Sequence, residues 1–234
     1  MSEFLKGAIV EKSAAPGEAD LALINAQALR PLAAEEVFVF RLAACDNQVD
    51  RDHERFSDKA LGKMAELFVG KPVLTDHRWS AGQQTARIFA AAVEDLGDKK
   101  RLVLSCYMPR TEKTAETITA IESGVLRECS VGCAVSSIIC SICGADNCKT
   151  LCPHHRGATY DGETCHFVLD DVVDVYEVSL VAVPAQPEAG VIKGKRYGGI
   201  EPAGDPGAAD GPTEEELKLA QARMELEHIR FGGN

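Results

Sequence analysis

The sequence predicts an α+β protein built on a mainly antiparallel sheet. Three observations carry this. Short apolar segments alternate with polar residues at the period of a strand, and two of them are joined by the turn LGDKK into a hairpin. Two stretches between the strands repeat their apolar residues at helical spacing and carry their own start and stop signals. The composition is that of a globular chain: 234 residues, 45% apolar and 26% charged, enough to bury one full core.

Taken in order, residues 1–34 are polar, Ala-rich and weakly patterned, and are expected to form an N-terminal segment. EEVFVFRLAAC, from Glu35 to Cys45, predicts the opening strand, and DNQVDRDHERF a polar loop. SDKALGKMAELFVG predicts an amphipathic helix. Ser57 caps it, Leu61, Met64, Ala65 and Phe68 form its apolar face, and Gly70 stops it. KPVLTDH is a short strand that runs into a loop holding His77, and TARIFAAAVED and RLVLSCYM are the arms of the hairpin. TEKTAETITAIESG predicts a second helix, with Thr111 at its cap, Glu112 and Glu116 near its positive end, and Gly124 as the stop. VLRECSVGCAVSS is a strand carrying Ser130, and TCHFVLDD and DVYEVSLVAV are expected to be two further strands. PAQPEAG then breaks the chain. Residues 194–212 turn to Gly, Pro, Ala and Asp, a flexible linker, and residues 213–234 form a C-terminal amphipathic helix suited either to packing on the body or to docking and oligomerisation.

The net charge of −11 gives no electrostatic reason to coat nucleic acid. No apolar run approaches a membrane span, and MSEFLKGAIVEKSAAPGEAD lacks the basic start and long apolar run of a secretory signal. No nucleic-acid or membrane partner is therefore expected. Nine cysteines, six of them between Cys129 and Cys152, point to a reducing compartment and a metal site rather than a disulfide framework.

Two constellations carry chemistry. The first is Ser130, followed two residues later by Gly132, a glycine inside a strand where another group can approach closely. A serine nucleophile needs a base held by a third group. Of six histidines, His77 sits in a strand-end loop where a scaffold can fix it while solvent reaches it. Glu177, a carboxylate among apolar strand residues, needs a partner. Strict alternation places Val175, Glu177, Ser179 and Val181 on one face and Tyr176, Val178, Leu180 and Ala182 on the other. The plainer alternatives are a surface serine, a turn histidine and a carboxylate bonded to a nearby Arg or Lys. The second constellation is CSICGADNCKTLCPHH. Cys140 and Cys143 form a Cys-x-x-Cys knuckle closed by Gly144, and Cys148, Cys152, His154, His155 and Cys165 can complete a tetrahedral site. Four protein ligands would make it closed and structural, and no glutamate base stands beside it as in a His-Glu-x-x-His helix. Cys129 and Cys133 read as small buried residues of the Ser130 strand.

RFSDKALGKMAELFVGKPVLTDHRWS, GVLRECSVG and YEVSLVAVPAQPEAGVIK, in this order across roughly residues 36–193, resemble the prohead proteases of tailed phages, which are in turn similar to the herpesvirus assemblins. The resemblance implies a small, mainly antiparallel β-barrel flanked by helices, and a protease domain over residues 35–193 with a zinc-binding insert at 138–158. It implies Ser130 as nucleophile, His77 as base and Glu177 as orienter, with Asp174 and Asp76 as alternatives for the third position. It selects Cys152 and His154 to join Cys140 and Cys143 around a structural zinc. It also implies a serine endopeptidase acting in the host cytoplasm inside a viral prohead. Its substrates would be the major capsid protein, the scaffold protein and itself, and it could form a homo-oligomer. PAQPEAG stands where assemblins place an arginine-rich loop, so the Val131 and Gly132 N–H groups are the candidate oxyanion donors. The rival expectations are a non-catalytic capsid-assembly protein stapled by zinc, and a metallohydrolase using the cluster.

Overall fold

The computed structural model of the chain describes residues 16–187 and 189–192. The predicted linker and C-terminal helix, and most of the N-terminal segment, lie outside these residues. The described elements are α1 (Glu18–Asn25), β1 (Val37–Asp46), β2 (Glu54–Phe56), α2 (Asp58–Phe68), β3 (Pro72–Thr75), β4 (Ala86–Asp95), β5 (Lys100–Pro109), α3 (Glu112–Glu122), β6 (Cys129–Cys140), β7 (Thr159–Tyr160), β8 (Glu163–Thr164), β9 (Phe167–Leu180) and β10 (Gly190–Ile192).

The helices end where their signals stand. Ser57 Oγ accepts from the Ala60 N–H, Gly70 adopts a φ of 85° after α2, and Gly124 a φ of 77° after α3. Ala60, Leu61, Met64 and Phe68 of α2 are buried against the sheet. Ile118 and Ile121 of α3 join the same core, which also takes Phe38, Phe40, Leu42, Ile88, Leu104 and Met108. Short polar segments proved more structured than their composition suggested. Residues 18–25 fold as α1 and bury Ile24, and Glu54–Phe56, inside the expected loop, pairs as β2.

The main sheet is mixed and mainly antiparallel. Its order is β10-β1-β5-β4-β3-β9-β2, with β6 on the other edge of β9. Two pairings are parallel: β2 and β3 both run alongside β9, at its beginning and its end. Among the described residues no closed barrel forms. The two ends of the sheet meet at one bridge, Glu128 to Gly190, with the Val191 N–H donating to the Arg127 carbonyl at 2.6 Å.

The two strands expected over TCHFVLDD and DVYEVSLVAV are one strand of fourteen residues, β9. The DDVVD run between them is no turn. It is irregular strand, with Asp171 at a φ of 48° and a register shift against β6 at Val173, and a second shift follows just beyond it. One shift falls where Gly132 faces Glu177 and Cys133 faces Val175, leaving Tyr176 as the extra residue. This bulge overturns the simple alternation. Val175 shares the core with Val178 and Leu180, and Tyr176 turns out toward solvent.

Candidate functional site: a carboxylate–imidazole pair and a cysteine cluster

The order β3-β9-β6 brings the first constellation together. Strand β9 lies in the middle and presents Glu177 and Ser179. Ser130 of β6 pairs with Ser179, and Gly132 with Glu177, so all four residues share one face. Strand β3 runs parallel to β9 on its other edge and ends at Thr75, opposite Leu180, which delivers His77 beside Glu177. Asp76 and His77 both adopt left-handed backbone, with φ of 53° and 51°. For residues other than glycine this costs on the order of 1–3 kcal/mol each, and it persists only where neighbours enforce it. Here β9 enforces it: the Asp76 N–H donates to the Leu180 carbonyl at 3.0 Å and the His77 N–H donates to Ser179 Oγ at 3.0 Å.

Glu177 is 2% exposed, yet neither oxygen lacks a partner. Oε1 lies 2.8 Å from His77 Nδ1, and Oε2 accepts from the Ser179 hydroxyl at 2.6 Å. The carboxylate therefore bonds neither Arg nor Lys, the plainer alternative. Asp174, considered for the same position, is held by Lys71 at 3.1 Å, which keeps its carboxyl below the usual range. Gly132 makes room for this arrangement. A Cβ there would lie 2.5 Å from Glu177 Oε1, so the close approach expected at this glycine is that of the carboxylate.

His77, Ser130, Gly132 and Glu177 line one cavity of about 440 Å³. Trp79 and Tyr176, with ring centroids 5.3 Å apart, form part of its rim. The side chain of His77 is 42% exposed and that of Ser130 half-buried, so solvent reaches both. Ser130 Oγ makes no hydrogen bond among the described residues. Bonds between a nucleophile and its base are often long before substrate binds. Cys129 and Cys45 are buried beside the cavity, and burial pushes both thiols well up. Burial and then the Glu54 carboxylate push the Cys133 thiol up to about 11. All three are packing residues with little thiolate to offer, as expected of Cys129 and Cys133.

The second constellation forms at the opposite end of the β6–β9 pair. Cys140 closes β6 opposite Phe167, the first residue of β9, and residues 141–166 form the connection. Gly144, with a φ of 72°, lets the knuckle turn, and its N–H donates to the Cys140 carbonyl at 2.9 Å. Asp146 holds the next turn. It accepts from the Ile138 and Cys148 N–H groups and the Ser137 hydroxyl, and pairs with Lys149, which brings its carboxyl down to about 2.

The ligand atoms of Cys140, Cys143, Cys152 and His154 lie within 4.8 Å of one another. Tetrahedral Zn–S bonds of about 2.3 Å would put neighbouring sulfurs about 3.8 Å apart, so the group can hold a metal ion. Two further observations fit. His154 Nδ1 is buried without a hydrogen-bond partner, a lone pair or N–H that otherwise has no reason to be there. Burial works to raise the Cys140 thiol, but the Cys143 and Ile142 N–H groups and the neighbouring thiols outweigh it and bring it down to about 6. Metals bind the thiolate. Of the spare candidates, Cys165 is buried with its sulfur 3.9 Å from that of Cys140, while Cys148 and His155 are exposed.

Comparisons with protein-family models, curated proteins and solved structures give no match to the chain. Among the described residues no helix is long and apolar enough to cross a membrane.

Sequence reasoning missed Ser179, which bonds both His77 and Glu177. The signal was its position two residues from Glu177 on the same face. It also missed Tyr176 at the rim, which only the bulge reveals.

Proposed function

We propose that the chain is a serine endopeptidase of the prohead-maturation kind. The observation that carries this reading is the 2.8 Å hydrogen bond between buried Glu177 and His77, in the same cavity as Ser130. A carboxylate that bonds Nδ1 leaves Nε2 of the neutral imidazole free to accept a proton. Ser130 Oγ attacks the scissile carbonyl carbon as its proton passes to His77 Nε2. The imidazolium, stabilised by Glu177, then protonates the leaving amine as the carbon–nitrogen bond breaks, and an acyl-serine remains. Water, deprotonated by the same nitrogen, releases the acid and restores Ser130. The Val131 and Gly132 N–H groups are our candidates for the oxyanion donors. The substrates on this reading are capsid and scaffold segments inside an assembling prohead in the host cytoplasm, and the chain itself.

The metal in the insert is zinc on this reading, held by Cys140, Cys143, Cys152 and His154. Four protein ligands leave no open position, so its contribution is to fold the connection. A non-catalytic assembly protein stapled by the same metal is favoured by one observation, that Ser130 Oγ makes no hydrogen bond among the described residues. Co-expression with the capsid and scaffold proteins separates the two. Mass spectrometry should find new termini with the wild type and none with Ser130→Ala, a loss of at least about 1,000-fold. Identical termini from both chains would end the protease reading.

A further inference from the structure

We propose that Ser179 is a positioning residue that fixes the tautomer of His77. The inference rests on the reading of Ser130, His77 and Glu177 as a catalytic set. Ser179 is 0% exposed. A buried hydroxyl elsewhere in a sheet can turn to any backbone carbonyl, but the partners of this one are the two members of the His77–Glu177 pair. It accepts the His77 backbone N–H at 3.0 Å and donates to Glu177 Oε2 at 2.6 Å.

A hydroxyl has one proton. Because Oγ accepts from His77, that proton is free to go to Glu177. With Oε2 so engaged, Oε1 faces Nδ1 at 2.8 Å, and an ionised carboxylate can only accept there. His77 must carry its proton on Nδ1 and leave Nε2 bare. The hydrogen bonds close a ring from the His77 backbone through Ser179 and Glu177 to the His77 ring. The same serine holds the backbone of His77 in its left-handed conformation and the carboxylate in its rotamer. Gly132 packs beneath the carboxylate, with no space for a Cβ. Without the hydroxyl, Glu177 can rotate and His77 can populate the tautomer protonated on Nε2, which cannot take a proton from Ser130.

The test uses the full chain with nitrogen-15-labelled histidine. In the wild type, with neutral imidazole, His77 should show a protonated Nδ1 and a bare Nε2. Ser179→Ala should mix the tautomers and lower kcat for peptide cleavage about 100-fold, with KM changed less than about twofold. Ser179→Thr, which keeps the hydroxyl, should retain the wild-type tautomer and most of kcat. If the alanine variant fails to fold, Ser179→Cys, close in size but a weak donor, carries the same expectation. A folded Ala or Cys variant with the wild-type tautomer and kcat would overturn the proposal. So would a folded Thr variant that loses the tautomer as the Ala variant does. If the wild type neither cleaves peptide nor takes up a fluorophosphonate on Ser130, the protease reading fails, and the tautomer comparison still decides the role of Ser179.

Discussion

The two ends of the β6–β9 pair are held together by different physics. At the Ser130 end the strands lie over the core, where Val175, Val178 and Leu180 are buried, and the polar face is locked by hydrogen bonds among Glu177, Ser179 and His77. At the Cys140 end the chain leaves the core. Of residues 141–166 only Cys165 is buried. A connection of that length without a core cannot offset its own ordering entropy by hydrophobic burial. The cysteine cluster could fill that role, since a metal bound only by the folded form would supply the missing stability. Two bulges separate the ends, after Gly132 and after Ala134. Ten residues of strand put Ser130 and Cys140 on the order of 30 Å apart.

Metal removal should have the largest effect. Structural zinc in small modules supplies about 10–16 kcal/mol of apparent folding free energy. Chelation, or Cys140→Ser, should therefore unfold residues 141–166, read as new hydrogen exchange and protease nicking within the connection. Cleavage should fall less than about tenfold, because the Ser130 end keeps its own core. If chelation abolished cleavage as completely as Ser130→Ala, the metal would be holding Ser130 and Glu177 in register, and the two ends would be one cooperative unit.

A smaller effect sharpens the other end. Gly132→Ala puts a methyl group 2.5 Å from Glu177 Oε1. That oxygen belongs to a buried carboxylate bonded on both sides, so it cannot swing away without giving up His77 or Ser179. The variant should fold with the 141–166 connection unchanged, and lose about 100-fold in kcat, the size of effect that a misplacement of about 1 Å produces. Kinetics on a peptide substrate reads it. A kcat within twofold of the wild type would mean that the position of Glu177 does not govern the rate.

Much of both ends was legible in the sequence, for reasons particular to each. The metal group is local: Cys140, Cys143, Cys152 and His154 span fifteen positions, and ligand spacing survives whatever the rest of the fold does. Glu177 stood out because a carboxylate among apolar strand residues has to be explained. His77 was found by elimination and by its place at the end of a strand. What could not be read was whatever depends on pairing between distant strands. The bulge at Tyr176 arises from the register of β6 on β9, and alternation along one strand does not contain it. Strand β2 follows from a parallel pairing with residues more than a hundred positions away, and its own three residues carry little strand signal. The closed barrel failed for the same reason, since closure depends on how the two ends of the sheet meet.

That meeting point gives the smallest of the expected effects. Gly190 faces the segment that enters the Ser130 strand, and a Cβ on it would stand 2.5 Å from the Arg127 carbonyl oxygen. The obstacle is backbone, so no side-chain rotation relieves it. The same carbonyl accepts from the Val191 N–H at 2.6 Å, and the Cys129 N–H donates to the Ala189 carbonyl at 3.3 Å. Gly190→Ala must push β10 away from residues 127–129 and weaken both bonds. Overpacking of this kind costs about 1–3 kcal/mol. Denaturant unfolding should show that loss, with hydrogen exchange rising at Cys129 and Val191 and unchanged in residues 141–166. Were exchange to rise equally in both places, a disturbance at the Ser130 end would be travelling the full length of the β6–β9 pair, and the separate footing of its two ends would be lost.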